Sequence, residues 1–235
     1  MSNEPGYSYS PTGSASAVLA EESARVFMQR VYWWMSAGLA LTGGVAFVVA
    51  SSQQLLSLVL PMFYPIVGLT LLMAFAFTFV ASKVSGPVAA VMFLLYAFLN
   101  GLMLSIVFLV YQLGSIGAAF GITAGTFAAM SIYGTVTKKD LSAWGAFLFM
   151  GLVGIIIAGI INIFIQSDML GFVRSCAAVV IFAGLTAYDT QKLRQHHANS
   201  GFSSAMSLSI TGALILYLDF INLFLHILRL LGRRR

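Results

Sequence analysis

Three long stretches without a charged residue constrain the fold of this chain more than any other feature. No Asp, Glu, Lys or Arg occurs in residues 31–82, 84–137 or 141–167. A helix needs about 20 apolar residues to cross a bilayer, and each stretch exceeds that length. Transmembrane barrels instead use alternating segments of about 10 residues, and that alternation is missing from the sequence. The chain is therefore predicted to be an all-α polytopic membrane protein.

The composition argues against a soluble or nucleic-acid-binding domain. Of the 235 residues, 60% are hydrophobic and only 8% are charged, whereas soluble domains carry about 25% charged residues. The net charge of +5 comes from Lys and Arg clustered between apolar stretches, as in membrane proteins oriented by the positive-inside rule. We expect no nucleic-acid partner. The single cysteine, Cys176, lies in an apolar stretch, where packing is its expected role.

The N-terminal residues differ from the rest of the chain. They are rich in Ser, Pro, Gly and Ala, which is typical of disorder, and they lack the basic start and apolar core of a signal peptide. We predict a disordered tail over residues 1–24 and a single transmembrane domain over residues 25–235. Breaks in the apolar stretches divide this domain into seven helices, expected at about 31–50, 58–82, 88–111, 116–136, 142–165, 171–192 and 207–230.

The fourth predicted helix carries a row of glycines. Gly117, Gly121 and Gly125 are spaced by four positions, so they share one face of the helix. Small residues in such a row let transmembrane helices approach closely. We expect this face to contact another helix.

Lys and Arg residues fall mainly on one side of the predicted bundle. With seven crossings, the side of the N-terminus holds Arg25, Arg30, Lys83, Lys138, Lys139, Lys192 and Arg194. The positive-inside rule places that side in the cytoplasm. The same topology places Arg229 and Arg233–Arg235 on the far side, against the rule. Either the last segment enters the membrane and returns, or the earlier loops determine the orientation; the sequence leaves both open.

Two acidic residues lie within the predicted spans. Asp189 ends an apolar stretch and is followed by Lys192 and Arg194, while Asp219 lies near the middle of the last helix. An Asp at the bilayer centre costs about 2.5–3.5 kcal/mol on insertion scales, so we expect a use for each. The structural alternative is a carboxylate paired with a basic residue or a backbone donor. Ser204 lies midway between the two acids, which permits them to meet across a hairpin without requiring it.

If the two carboxyl groups meet, they form a pH-sensitive site. Two carboxylates in a poorly hydrated site cannot both ionise cheaply, so the pair is expected to share a proton and to titrate as a unit. The fully ionised pair would attract a hard cation. Ca²⁺ takes about six to eight oxygens and two Asp supply at most about four, an incomplete shell that suits an ion in transit. His226, further along the last helix, is expected to be a bundle histidine with satisfied polar atoms.

Four segments of the chain carry recognisable motifs. They are FAGLTAYDTQKLR (182–194), ALILYLDFINLFLHILRLL (213–231), YGTVTKKDLSAWGAFLFMGLVGIIIA (133–158) and MFLLYAFLNGLMLS (92–105). Together they resemble the Bax inhibitor-1-like family, also called the transmembrane Bax inhibitor motif family. The resemblance covers about residues 25–232, and the length is similar to that of the bacterial members.

This resemblance implies a fold, an activity and site residues. It implies a seven-helix bundle with the last helix in the centre, and a pH-sensitive calcium leak across the membrane. In that family an Asp pair in the last two helices senses pH and gates the channel, and Asp189 and Asp219 match those motif positions. Ca²⁺ would be the permeant or transiently bound ion, and no resident cofactor is implied. A basic residue that latches to the pair would correspond to Lys83.

Three functional classes stay open. The first is a calcium leak channel of the bacterial inner membrane, with the lipid bilayer and calcium ions as its partners. The second is a non-conducting regulator that binds another membrane protein, such as a membrane protease. The third is an intramembrane hydrolase that uses the two Asp. The hydrolase ranks last because no substrate-binding signature accompanies the acids, and we expect no enzymatic activity.

Overall fold

The protein is built from helices. A computed structural model describes residues 12–81, 83–196 and 204–235, with side chains from residue 23 onward except at 78 and 196. The helices are α1 (Thr12–Ser51), α2 (Gln53–Val59), α3 (Phe63–Val80), α4 (Gly86–Val110), α5 (Leu113–Val136), α6 (Ser142–Ile165), α7 (Asp168–His196) and α8 (Ala205–Leu231). Within the described residues, 6 helices are individually long and apolar enough to cross a membrane. The predicted all-α polytopic class is confirmed.

α1 and α4 run parallel from the same end of the bundle. Thr42 Oγ1 donates to the Ala97 carbonyl oxygen at 2.9 Å, and one turn further along both helices Val45 packs against Gly101. Because the residue numbers increase together, the two helices start at the same end, which we call the N-terminal face. The end of α1 therefore lies at the opposite end, which we call the C-terminal face.

α8 crosses the whole bundle between these faces. Near its start, the Ser207 hydroxyl donates to the Ala81 carbonyl oxygen, just after α3. Beyond its end, the Arg235 N–H donates to the Val110 carbonyl oxygen at 2.9 Å, where α4 ends. The 27 residues of α8 extend about 40 Å, more than the roughly 30 Å of a hydrocarbon core. The last segment thus crosses completely, and the C-terminal arginines lie on the face opposite to the N-terminus.

The second crossing is formed by two helices rather than one. We predicted a single helix over residues 58–82, whereas the structure has α2 and α3, bent by 69°. Pro61 lies in the break between them, and proline interrupts a helix because it has no N–H and its ring clashes with the preceding turn. Since α1 ends at the C-terminal face and α3 ends at the N-terminal face, the pair together carries the chain across, which gives seven crossings.

α8 lies at the centre of the bundle, as the resemblance implied. It is the most buried of the six spanning helices and packs against α1, α4, α5 and α7. Tyr217 on α8 is fully buried, and its hydroxyl oxygen lies 2.7 Å from Thr42 Oγ1, so its polar end is satisfied. α6 is the least buried span and packs against α7 at the outside.

α1 begins earlier than we expected. We predicted a disordered tail over residues 1–24, whereas the structure has helix from Thr12 onward; residues 1–11 lie outside the described part of the chain. The segment AVLAEESAR (17–25) is rich in Ala, Leu and Glu, which favour helix. Averaging this segment with the Ser-, Pro- and Gly-rich residues before it concealed that preference.

The glycine row on α5 does not contact another helix in the described structure. A Cβ added at Gly117, Gly121 or Gly125 would meet nothing within 4 Å, so the predicted close contact is wrong. Close approach occurs instead at Gly134 on the same helix, where a Cβ would collide with the carbonyl group of Ala187 on α7. A row of small residues permits close packing, but the surrounding helices decide which glycines are used.

Substituting Gly134 should therefore destabilise the protein, whereas the same change at Gly121 should not. Gly134→Ala forces a methyl group into the α7 backbone, and overpacking of this kind costs about 1–3 kcal/mol. Gly121→Ala places its methyl group in open space and removes a poor helix former, a gain of up to about 1 kcal/mol. Thermal unfolding of the purified variants in detergent measures both. Equal melting temperatures would show that α5 and α7 are not in contact at Gly134.

Candidate functional site

A cavity of about 820 Å³ lies between α6, α7 and α8. Among the described residues that line it, the acids are Asp189 of α7 and Asp219 of α8. The cavity reaches Ser142 and Lys192 at the N-terminal face and extends to Arg174 in the other direction. Most of the remaining lining is apolar, so the charged side chains dominate the field inside it.

The side chains of Asp189 and Asp219 meet in this cavity. Their carboxyl groups are hydrogen-bonding neighbours, and a hydrogen bond between two carboxyl groups requires a proton on one of them. Asp219 is only 5% exposed, and its Oδ2 has no hydrogen-bond partner within the described residues. The structure thus brings together the two acids that the hairpin allowed to meet, and we call them the acid pair.

The antiparallel register of α7 and α8 explains why the acids meet. Phe182 lies about two turns before Asp189 on α7, and His226 lies about two turns after Asp219 on α8. The rings of Phe182 and His226 stack, with centroids 6.2 Å apart and planes at 19°. Residues of α7 and α8 therefore pair in the same antiparallel register at both places. Each helix keeps one face toward the other over about two turns.

The Tyr-Asp-Thr-Gln motif orients Asp189 because its four side chains point to different neighbours. Four consecutive helical positions cover about one full turn. Tyr188 packs against α6, where Gly145 leaves room for its ring. Thr190 Oγ1 donates to Ser131 Oγ on α5 at 3.3 Å. The side chain of Asp189 points in the remaining direction, toward α8.

Gln191 completes the motif by fastening the connector between α5 and α6. Its Oε1 accepts a hydrogen bond from the Leu141 N–H at 2.9 Å, and its Nε2 donates to the Lys139 carbonyl oxygen at 2.8 Å. Gln191 is buried, so these bonds hold the start of α6 firmly against α7. In the same connector, donation from the Ser142 hydroxyl and N–H to the carboxylate of Asp140 lowers the pKa of Asp140.

The basic residue beside the acid pair is Lys192 rather than Lys83. Lys192 lines the mouth of the cavity and is a charged neighbour of Asp189, and its Nζ lies 5.3 Å from the centre of the Tyr188 ring. Lys83 is exposed in the turn after α3 and does not line the cavity. Because α3 packs mainly against α4, away from α6 and α7, the structure does not bring the predicted latch residue to the acids.

Two residues of α8 deeper in the cavity have unexpected surroundings. We expected a satisfied histidine at His226, but it lines the cavity, and its buried Nδ1 has no hydrogen-bond partner among the described residues. Asn222 lies between His226 and Asp219 on the same wall, and its Nδ2 donates to the Leu218 carbonyl oxygen at 2.8 Å. Asn222 escaped the sequence analysis because an uncharged amide gives no strong signal in an apolar helix.

Arg174 is a further candidate that the sequence analysis did not single out. Arg174 lines the cavity, and its buried Nε lacks a hydrogen-bond partner in the described structure. An arginine within an apolar helix costs about as much to insert as an aspartate. The signal that identified Asp189 could therefore have identified Arg174.

The acid pair supplies too few oxygen atoms to complete the coordination shell of a Ca²⁺ ion. The described residues contain no group of three or more His, Cys, Asp or Glu side chains that could hold a metal. Two carboxylates supply at most about four oxygens, whereas Ca²⁺ takes about six to eight. An ion in this cavity would therefore keep several of its water ligands.

The fold and the cavity define a multi-pass helical membrane protein whose central helix carries a buried acid. Within that class, the chain belongs to the family described as "Inhibitor of apoptosis-promoting Bax1", whose sequence profile matches residues 24–235. The resemblance carried by the four motifs is thereby confirmed.

Several bacterial proteins are similar to this chain over most of its length. "Inner membrane protein YbhL" of Escherichia coli (strain K12) is 42% identical over 228 residues, which cover 94% of this chain and 97% of that protein. A protein of Deinococcus radiodurans is 44% identical over 211 residues, with coverage of 89% and 91%. A protein of Borreliella burgdorferi is 40% identical over 214 residues, with coverage of 89% and 92%.

Removing the Gln191 amide should loosen the connector that frames the cavity mouth. Gln191→Ala leaves the buried Leu141 N–H and the more exposed Lys139 carbonyl group without their partner. An unsatisfied buried N–H costs about 1–3 kcal/mol. We expect a lower melting temperature in detergent than that of the wild type. Gln195→Ala is the matched control, because Gln195 is exposed on the same helix. A Gln191→Ala protein as stable as this control would contradict the role assigned to the amide.

Proposed function

We propose that this protein is a pH-sensitive calcium leak channel of the inner membrane, with Asp189 and Asp219 as its proton sensor and cation site. The observation that carries the proposal is the meeting of the two carboxyl groups in a cavity inside the bundle. The family to which the chain belongs supports it, since the two acids match the motif positions at which the resemblance implies a pH-sensing pair.

The proton on the acid pair controls the charge in the cavity. With one shared proton, the pair carries a single negative charge, and its hydrogen bond holds α7 to α8. Without that proton, two negative charges lie side by side in a poorly hydrated site and repel each other. Lys192, a charged neighbour of Asp189, acts on the same equilibrium. Tyr188 and His226 also line the cavity, and Arg174 lies at its far end. The pair therefore titrates as a unit and couples pH to helix packing.

Calcium and protons compete for the same oxygen atoms. Ca²⁺ prefers carboxylate oxygens and binds the ionised pair, so its occupancy falls as pH falls and the proton returns. The shared-proton form is then the closed form, because its single negative charge attracts a cation less strongly than two charges do and its hydrogen bond holds the helices together. The leak is therefore expected to increase with rising pH and to decrease with falling pH. The incomplete ligand shell lets the ion leave again, as permeation requires.

Neutralising either acid should reduce the leak and abolish its pH dependence. Asp189→Asn and Asp219→Asn keep the shape of the side chain, but an amide neither exchanges a proton in this range nor attracts a cation. We expect Ca²⁺ flux at neutral pH to fall about tenfold, the equivalent of about 1.4 kcal/mol of lost interaction. The measurement is Ca²⁺ entry into proteoliposomes loaded with a calcium-sensitive dye, over a series of pH values.

Asp140→Asn is the matched control for these variants. It makes the same chemical change at an exposed acid on the N-terminal face, outside the cavity, and should leave flux and its pH dependence unchanged. If Asp189→Asn and Asp219→Asn also behave like wild type, the acid pair is not the gate. Absence of flux from pure wild-type protein, together with a co-purifying membrane protein, would favour the regulator. A cleaved substrate that depends on both acids would favour the hydrolase.

We further propose that the N-terminal face lies in the cytoplasm. The similar Escherichia coli protein is named an inner membrane protein. The connectors and helix ends at the N-terminal face carry most of the 12 Lys and Arg residues, namely Arg25, Arg30, Lys83, Lys138, Lys139, Lys192 and Arg194. The positive-inside rule counts such short connectors near the ends of the spans. The arginines at the C-terminus follow the last crossing and are outweighed by the connectors before it.

Reporter fusions in a bacterial host test this orientation. With seven crossings, alkaline phosphatase fused after Arg235 should be active, because it folds only outside the cytoplasm, and green fluorescent protein at the same position should be dark. The same two reporters fused after Lys139, in the α5–α6 connector, should give the opposite pattern. Fluorescence from the C-terminal fusion would show that the C-terminus is cytoplasmic and would contradict the proposed orientation.

A further inference from the structure

A second cavity, of about 660 Å³, lies at the C-terminal face and adjoins the cavity of the acid pair. Besides Arg174, its polar lining residues are Asn162, Gln166, Ser167, Asp168, Arg229 and Arg234. The two cavities share Ile156, Gly159 and Arg174, which form a junction that we call the neck. Together they extend from the N-terminal face, at Ser142, to the C-terminal face.

The Arg174 guanidinium occupies the neck because Gly159 has no side chain. A Cβ added at Gly159 would lie 2.5 Å from Arg174 Nη1, which is too close for two such atoms. The charged neighbour that acts on Arg174 is Arg229, which has the same sign. Asp168, the acid of the second cavity, lies about 9 Å away along the axis of α7. The positive charge in the neck is therefore not cancelled by an adjacent carboxylate of the described structure.

Arg174 lies too far from the acid pair to act as its ionic partner. Fifteen residues of α7 separate it from Asp189, a rise of about 22 Å. The cavity thus holds negative charge near one end and positive charge at the other. A cation attracted to the acids must pass the guanidinium group to reach the C-terminal face, or pass it first when it comes from that side.

We propose that Arg174 is an electrostatic barrier that limits cation passage between the two cavities. This proposal rests on the proposed calcium leak, because it names Arg174 as the residue that keeps that leak small. A fixed positive charge repels a divalent cation, and more strongly in a largely apolar cavity than in water. Pores use arginine in this way to exclude cations. Gly159 acts as a positioning residue, because any side chain there would displace the guanidinium.

Neutralising the barrier should increase the leak. Arg174→Gln keeps a long polar side chain but removes the charge, and we expect Ca²⁺ flux into proteoliposomes to rise at least about tenfold. Arg174→Lys retains the charge and should stay within about twofold of the wild type. Arg233→Gln removes one arginine charge from an exposed site outside both cavities and should change nothing. Flux from Arg174→Gln at the wild-type level would overturn the barrier.

A second measurement tests the barrier without relying on calcium flux. His226→Cys, in a Cys176→Ser background, places a thiol between the neck and the acid pair. A membrane-impermeant trimethylammonium methanethiosulfonate is added on the side of the C-terminal face of sealed vesicles. Adding Arg174→Gln should raise its reaction rate at least about tenfold, while the rate of the neutral methyl reagent stays within about twofold.

The two measurements separate failure of the barrier from failure of the proposed function. If wild-type flux depends on the acids but the cationic reagent reacts equally fast with and without Arg174, the barrier is wrong and the leak stands. If no acid-dependent flux exists but the cationic reagent alone reacts faster after Arg174→Gln, the leak is wrong and the barrier stands. Melting temperatures of the Arg174 variants in detergent show whether each protein is folded.

Discussion

The burial of the Asp219 carboxyl group in the central helix is the constraint on which the rest of the structure depends. An acid that is 5% exposed among apolar helices needs a polar partner, because neither lipid nor hydrocarbon side chains satisfy its oxygens. α7 supplies that partner in Asp189, and the pairing fixes the register of α7 against α8. The neighbours of Asp189 in its motif then tie α7 to α5 and α6. Under the proposed function, a proton gained or lost by the acids would therefore act on the packing of α5, α6, α7 and α8.

Negative and positive side chains lie at different places along the two cavities. The acids would attract a cation, and the arginines would restrict its passage. The acids lie nearer the N-terminal face, where Ser142 and Lys192 line the first cavity, whereas Arg174 and Arg229 lie toward the C-terminal face. A path lined only by carboxylates would let cations equilibrate and would dissipate any gradient. A path with a fixed positive charge in series conducts slowly even when the acids are ionised. In the proposed channel, the pH response and the size of the leak would thus be set by different residues.

Features that depend on the cost of burying a charge could be predicted from the sequence, and features that depend on which helices are neighbours could not. The uncharged stretches fixed the class of fold, and the cost of an intramembrane carboxylate singled out Asp189 and Asp219. The same cost applied to Arg174 and would have identified it. Lys83 was assigned from its place in the chain, but whether it reaches the acids depends on the packing of α3. Helix packing likewise decides that Gly134, and not Gly121, contacts a neighbouring helix.

The arginines after α8 conflict with the positive-inside rule. Contacts with the rest of the protein hold this segment at the C-terminal face. The backbone after Leu231 pairs with the α4–α5 connector, where the Gln112 N–H donates to the Arg233 carbonyl oxygen at 3.1 Å and Arg234 forms a bridge with Tyr111. Arg229 and Arg234 then line the second cavity. Their charge would add to that of Arg174 in the proposed barrier, so arginines that oppose the positive-inside rule would contribute to the same electrostatic restriction.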